Sequence, residues 1–476
     1  MAAGAPKKAR RSAKPALTAR LGARASLEAR ATGEIVATIQ GYAMSLGSLG
    51  TAAADGLKKL RAGLPIADLD SDSRAGDRET RLLVARLANL GLLEFRLGGA
   101  EGEELAVIEP QTRDYWPRTL ELKDDDRLVL SRFAYLRRRG VDMVLESPRA
   151  AALFRICSPE TAAALTALAR PRQVKELRRQ NRFPGLALLG LLLDCQMLFK
   201  TDAADGAALR RAEGDDQLVL WDFHDLLFHA RSTEGRHANL LGGVYPHAGA
   251  IAPLPAVRPS WPGKKLDLPP PQALSHFAEL LRRRRSVREF DERDPITLDE
   301  LSTLLDRTAR VLARWSDPVD IDDGGHTSRP YPTAGAAYEL ELYLAVARCE
   351  GLKRGFYHYD AGAHALAPID VQPGDLETML IGAAPAMGVA VAPQILVTIS
   401  ARFGRISWKY SSIAYSLILK DVGALSQSFY LAATDMGLGG CAIGITNLDI
   451  FARMTGLELH AEGPVGQFAL GRGLKS

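Results

Sequence analysis

The 476-residue sequence predicts an α+β protein of about two to four domains, since a chain of this length exceeds what one hydrophobic core serves. Three observations carry that expectation. Apolar residues recur at Ile418, Val422, Leu425, Phe429, Ala432 and Met436, the spacing of a long helix with one buried face. A helical stretch followed by a two-stranded hairpin is expected twice between residues 34 and 236. Apolar runs over 340–347, 355–360, 393–399 and 467–472 predict strands of a C-terminal sheet.

Composition narrows the class. Hydrophobic residues make up 47% and charged residues 24%, as in ordinary globular proteins. No run of about twenty apolar residues could span a bilayer, so no membrane partner is expected. Cys157, Cys195, Cys349 and Cys441 are too scattered for a metal-ligand pattern, and no metal site is assigned. They read as reduced thiols of a cytoplasmic protein.

The first thirty residues hold eight Lys or Arg against Glu28 alone, a local +7. Taken from the net +4 of the whole chain, this leaves the remainder at −3. Residues 1–33 therefore read as a basic disordered tail, a solvated extension or a contact for nucleic acid or an acidic partner. The body has no charge surplus to bind a polyanion.

Residues 34–125 form the first expected unit. Arg78–Gly91 reads as a helix with Leu82, Val84 or Ala85, Leu87 and Leu90 inward, followed by strands 92–97 and 104–108 about a Gly98-Gly99 turn. In the second unit, 126–236, a helix over 186–194 leads to strands at 195–200 and 217–221, and Ser158-Pro159-Glu160 supplies an N-cap. A helix ahead of such a pair is a winged-helix arrangement. Lys175, Arg178 and Arg179 would serve DNA, but Glu176 interrupts them and the body is negative, so nucleic acid is disfavoured. An exposed strand edge receiving an extended peptide is the favoured use. Residues 223–229 suit a short helix with Phe223, Leu227 and Phe228 inward; His224 and His229 lack a nearby third metal ligand. Residues 237–271, rich in Gly and Pro, read as a linker or arm.

The last domain is expected over 272–476. Its first helix runs into Arg282-Arg283-Arg284-Arg285-Ser286-Val287-Arg288. In an extended continuation Arg284, Ser286 and Arg288 share one side, two guanidinium forks and a hydroxyl suited to phosphate. Thr297-Leu298-Asp299-Glu300 reads as a capping box. Tyr331-Pro332-Thr333-Ala334-Gly335 is a turn that can offer a hydroxyl and free amides to a ring edge. Lys409 and Tyr410 stand just ahead of the long helix, where irregular backbone can aim both at one ligand. Gly437-Leu438-Gly439-Gly440 ends that helix and permits close backbone approach to a flat ligand. Arg472 follows the last strand.

Arg-x-Ser-x-Arg after the first helix, the Pro-Thr-x-Gly turn, a long helix ending in Gly-Leu-Gly and a terminal Gly-Arg resemble the FMN-dependent nitroreductase fold over 272–476. The Lys409-Tyr410 pair, with Tyr415, Asp421 and Gln427 downstream, is similar to the SagB/ThcOx-type azoline dehydrogenases. The Phe-His-Asp…Phe-His-x-Arg-Ser segment and the tandem units ahead of it resemble the cyanobactin-oxidase branch. The resemblance implies a homodimer with FMN at the subunit interface. Arg284, Arg285, Ser286, Arg288 and Arg472 would lie near phosphate and ribitol. Pro332, Thr333, Ala334, Gly335, Gln427, Leu438, Gly439 and Gly440 would lie near the ring or its surroundings. Thr333 stands where Ser is commoner.

The implied reaction turns thiazoline or oxazoline rings of a precursor peptide into azoles, with O2 as final acceptor and a cyclodehydratase as possible partner. Removing two electrons and two protons requires a hydride acceptor and a base. From the residues alone Lys409 reads as a solvent-facing lysine beside a half-buried aromatic; the resemblance makes it the base, with Tyr410 relaying a proton or orienting the ring. The alternatives are an NAD(P)H-dependent nitroreductase of small molecules and a non-enzymatic winged-helix scaffold or regulator.

Overall fold

A computed structural model describes residues 17–22, 25–30, 34–39, 42–48, 51–69, 75–99, 103–113, 115–180, 183–239, 241–243, 245, 247–260, 262–271, 273–316 and 324–474. The chain divides into two compact units, Met1–Arg231 with Gly235–Ala238, and Ser232–Glu234 with Asn239–Ser476. Among the described residues no helix is long and apolar enough to cross a membrane.

The N-terminal unit is organised by a seven-stranded sheet. Its order is Leu64–Pro65, Leu17–Leu21, Leu93–Gly98, Glu104–Pro110, Ala152–Ile156, Asp142–Glu146 and Tyr135–Arg139. The expected hairpin over 92–108 is present, with Phe95 opposite Ile108. Three expectations fail here. Residues 17–22 and 25–30 are not disordered tail: Leu17–Leu21 lies inside the large sheet with Ala19 fully buried, and Ala25–Ala29 pairs with Glu34–Ile39. The remaining tail positions, 1–16, 23–24 and 31–33, lie outside the described residues. The basic residues misled because Arg20 stands between apolar Ala19 and Leu21, and a strand needs only its inner face apolar.

The separation at 125/126 also fails, because Glu104–Pro110 pairs with Ala152–Ile156 and makes one sheet of both segments. Third, residues 217–221 form no wing strand. Asp216–Val219 is a helical turn capped by Asp215, whose carboxylate accepts the Leu218 amide at 2.8 Å. The apolar run looked strand-like, yet an Asp N-cap decides for a helix. What exists there is a three-stranded sheet of Arg172–Gln173, Arg127–Leu130 and Leu198–Lys200, beside helices Pro159–Thr166, Val174–Arg178 and Leu186–Asp194. Ser158 caps the first of these as expected. Arg178 spends its charge on Asp124 at 2.7 Å.

The Phe223–Ser232 helix forms, but its buried stripe is Asp225, Leu226, His229 and Ala230, while Phe223 and Phe228 are exposed. His229 stacks on Trp221 with centroids 5.9 Å apart, and burial pushes its pKa down to about 3, so it is a neutral core residue. Donor atoms of Asp222, His224 and Asp225 lie within 4.8 Å of one another, a grouping that excludes His229.

The C-terminal unit holds a six-stranded antiparallel sheet. Its order is Ala365–Ile369, Gly355–Asp360, Leu340–Val346, Ile395–Arg402, Glu462–Gly471 and Gly439–Ile443. The Ile395–Arg402 strand is buried at every position but Arg402, the signature of a strand covered on both faces. Tyr343, Phe356, Leu396 and Ala469 face helices Pro373–Met387 and Leu448–Thr455. The alternate side chains face the long helix Ala414–Asp435, whose Phe429 meets Phe468 at 5.3 Å between centroids. The expected capping box is complete at Thr297 and Glu300.

Ala19→Asp tests the inner position of the first strand. A charge in that fully buried site should cost about 3 kcal/mol in urea unfolding of the full chain. A change within about 0.5 kcal/mol, the size expected of a surface substitution, would show the strand to be misplaced.

Candidate cofactor and active site

The segment leading into the long helix is a helical turn, Phe403–Ser407, that unwinds at Trp408. The amides of Lys409 and Tyr410 both donate to the Ile406 carbonyl, at 3.0 and 2.9 Å, so the two side chains leave an irregular turn. Lys409 is exposed and Tyr410 half-buried, with Lys409 Nζ 5.9 Å from the Tyr410 ring centroid. Both reach Gly335. A Cβ there would stand 2.4 Å from Tyr410 Oη and 3.2 Å from Lys409 Nζ, and Gly335 has φ of 58°. Glycine is thus required twice, for the backbone region and for the space.

The Pro332–Gly335 turn continues into two non-glycine residues in the left-handed region, Ala336 at φ 54° and Tyr338 at φ 47°. Each costs about 1–2 kcal/mol. The turn is held in that form by specific bonds. Thr333 Oγ1 accepts the Tyr338 amide at 3.1 Å, and Tyr338 Oη donates to the Arg329 carbonyl at 3.3 Å. The Ala334 amide donates to Asp421 Oδ2 at 3.1 Å, tying the turn to the long helix.

Asp421 has a buried companion in Glu339, which is fully inaccessible. Burial pushes both carboxyls up, and Asp421 beside Glu339 pushes the latter further. Asp421 alone has the Ala334 amide and Lys420 to steady its charge. The proton therefore sits on Glu339, which donates to Asp421, because two buried carboxylates in contact cannot both ionise.

A second cluster forms where the first helix of the domain ends. His276–Arg283 stops at Arg284, whose backbone is extended, and Val287 donates its amide to the Gly440 carbonyl at 2.9 Å. As expected, Arg284 and Ser286 share a side. The Arg284 guanidinium lies 5.0 Å from the Tyr430 ring centroid, and Ser286 Oγ is 2.9 Å from Tyr430 Oη. Arg284, Arg285 and Arg288 make no ion pair with the described residues. Such a concentration of unneutralised guanidinium groups suits an anion.

Arg472 is placed differently. It binds Glu300 bidentately at 2.7 and 2.8 Å and Asp294 at 3.0 Å, so its charge is already spent inside the chain. Gly439 and Gly440 follow the helix stop at Gly437, but a Cβ on them would strike Val287 at 2.6 Å and Phe468 at 2.4 Å. Gly439 therefore serves packing against the Val287 segment and Gly440 packing against the last strand. Leu438 is buried, and its amide closes the helix end on the Ala433 carbonyl at 2.7 Å. Gln427 and Pro332 are exposed.

Sequence reading missed Glu339, Tyr430 and Gln394. Gln394 Oε1 accepts the amides of Ile296 and Arg472 at 2.9 and 3.0 Å, while its Nε2 donates to the Asp291 carbonyl at 2.6 Å. No local pattern marks these residues. Tyr430 adjoins the apolar stripe at Phe429 and Glu339 opens a strand, and their partners are remote in sequence. Asp421 and Tyr430 are nine positions apart, about two and a half turns, so the two clusters lie on different sides of the helix.

Two substitutions test this geometry. Gly335→Ala should destabilise by about 1–2 kcal/mol from φ alone, with a further steric part that Tyr410→Phe relieves; equal stability of Gly335→Ala in both backgrounds would disprove the contact. Glu339 contributes in the opposite pH sense to a salt-bridged carboxylate. Its folded pKa lies above the ordinary 4.5, so its contribution is full below that value and is lost as pH rises through the folded one. Glu339→Gln cannot ionise and should flatten the fall of unfolding free energy between about pH 5 and about pH 9. Identical slopes in variant and parent would place the proton elsewhere.

Comparison with known proteins agrees with the C-terminal architecture. A nitroreductase family model matches residues 281–472, and a model described as cyanobactin oxidase ThcOx matches residues 128–238. A nitroreductase-family protein of Methanocaldococcus jannaschii is 33% identical over 167 residues, covering 35% of this chain and 77% of that protein. Indigoidine synthase of Dickeya dadantii is 25% identical over 243 residues, 44% of this chain and 16% of the larger protein. Among solved structures, a nitroreductase-family protein of Ralstonia eutropha aligns at 23% identity and TM-score 0.33, over 44% of this chain and 89% of its own. The Escherichia coli microcin synthetase McbBCD complex with truncated pro-MccB17 aligns at 20% identity and TM-score 0.40, over 55% and 97%. The chain belongs to the nitroreductase family, as an oxidoreductase that also carries a segment matching the cyanobactin-oxidase ThcOx model.

Proposed function

We propose that the protein is an FMN-dependent dehydrogenase that oxidises thiazoline or oxazoline rings to azoles in a ribosomally made precursor peptide. The observation that carries this reading is the meeting of Lys409 Nζ and Tyr410 Oη at the Gly335 turn, an amine and a phenol displayed together against one glycine. The cyanobactin-oxidase match over 128–238 supports the peptide substrate. The unpaired Arg284, Arg285 and Arg288 fit the anionic end of FMN, with the Ser286 hydroxyl beside them. Arg472 would not contribute there unless it gave up Glu300 and Asp294, so its part is the fixing of the last strand.

Bound FMN supplies a two-electron acceptor for a hydride. The chain's own task is the remaining proton. Lys409 Nζ takes it from ring carbon, and Tyr410 Oη, held against Gly335, orients the ring or passes the proton outward. Lys409 is exposed in the single chain, so the bound ring and peptide must exclude water from it. The N-terminal unit would grip the peptide; Leu198–Lys200, at the edge of its three-stranded sheet, offers a strand edge for such pairing. Two clusters on different sides of one helix also fit a homodimer in which each subunit completes its partner's site. O2 as final acceptor and a cyclodehydratase partner belong to the same reading.

A second reading, reduction of small nitro compounds by NAD(P)H, draws on the likeness to the M. jannaschii protein. The purified protein should show a flavin visible band and remove two hydrogens per azoline from a cyclised peptide, read by mass spectrometry. Rapid bleaching by NADPH with nitroaromatic turnover, and no change in the peptide, would favour the second reading. Lys409→Ala should retain the band and lose about a hundredfold or more in turnover. Unchanged turnover would remove Lys409 from the role of base.

A further inference from the structure

Tyr430 was not singled out by its sequence, yet it sits where the Arg-x-Ser segment meets the long helix. Its hydroxyl has two polar neighbours. The Ala442 amide donates to Tyr430 Oη at 2.8 Å, which settles that the phenol oxygen accepts there. Ser286 Oγ lies 2.9 Å away and could serve either as donor or as acceptor. A tyrosine hydroxyl carries one proton, and among the described residues its sole acceptor in reach is Ser286 Oγ. The phenol proton is thus available to Ser286. The Ser286 proton then has no acceptor among the described residues and points away from Tyr430. The Tyr430 ring face meanwhile carries the Arg284 guanidinium at 5.0 Å, near enough for cation–π attraction to order it.

We propose that Tyr430 is a positioning residue that makes Ser286 a hydrogen-bond donor and steadies Arg284, both toward the phosphate of FMN, so that the chain prefers FMN to riboflavin. This rests on the reading of Arg284 and Ser286 as the phosphate end of the site. Neutral riboflavin shares the ring and ribitol and lacks only the phosphate, so the ratio of the two affinities isolates what these residues do. A merely structural tyrosine would affect both ligands alike. Tyr430→Phe keeps the ring and removes the hydroxyl; exposed Ala442 can give its amide to water, so the fold should tolerate the change.

The experiment strips the flavin from the full-length protein and measures binding of FMN and of riboflavin by flavin fluorescence. Tyr430→Phe should weaken FMN about tenfold and riboflavin less than about twofold, the scale of one hydrogen bond to a charged group. Ser286→Ala should do the same, and the double variant should lose little more than either alone, since both act through one hydroxyl. Equal weakening of FMN and riboflavin by Tyr430→Phe would reduce Tyr430 to a packing role and overturn the proposal. So would additive losses in the double variant, or a loss in Ser286→Ala that Tyr430→Phe does not share. If neither Arg284→Ala nor Ser286→Ala alters the FMN-to-riboflavin ratio, the phosphate reading itself is wrong. Should Tyr430→Phe not fold, Tyr430→His, which retains a ring and a donor, must keep the FMN preference for the proposal to stand.

Discussion

The long helix must bury one stripe, and that constraint determines where every candidate site residue stands. Ile418, Leu425, Phe429 and Ala433 are covered, and each of the three larger side chains contributes about 1.5–3 kcal/mol when removed from water. With that face fixed against the sheet, the remaining positions have set directions. Asp421 faces the Thr333–Gly335 turn, Tyr430 faces Ser286, and the entry turn carries Lys409 and Tyr410. The exit at Gly437, φ 70°, turns the chain into the strand that receives Val287. A rotation of the helix by one residue, about 100°, would undo both clusters and expose Phe429.

Charge is managed in two opposite ways around this helix. On one side a carboxyl pair is buried, and it is tolerable because one proton converts mutual repulsion into a hydrogen bond. Its reward is a rigid turn: the Ala334 amide is pinned while Gly335, Ala336 and Tyr338 occupy backbone conformations that unconstrained residues avoid. On the other side Arg284, Arg285 and Arg288 remain without carboxylate partners among the described residues. Arg472, equally cationic, is neutralised by Glu300 and Asp294. The contrast separates arginines that complete the fold from those free to meet an anion.

The parts legible in advance were those governed by local chemistry. The capping box at Thr297, the Ser158 cap, the 92–108 hairpin, the irregular turn before the long helix and the Arg284–Ser286 alternation all depend on residues a few positions apart. The parts misread depend on remote ones. Leu17–Leu21 becomes an inner strand only because Leu93–Gly98 and Leu64–Pro65 flank it. In the Phe223–Ser232 helix, aromatic residues attracted the inward assignment, yet the stack of His229 on Trp221 rotated the buried face.

Local spacing by itself determined the α+β class of the C-terminal domain, the long helix and its glycine stop, and which arginines could face an anion, whereas the proposal of Lys409 as base came from the family resemblance. Only tertiary packing decided that Gly335 stands against Lys409 and Tyr410, that Arg472 is consumed by Glu300, and that Glu339 and Tyr430 support the site. The physical reason is range. Caps, turns and periodicity act over four residues or so, whereas sterics and hydrogen bonds between segments about a hundred positions apart exist only once burial has brought those segments together.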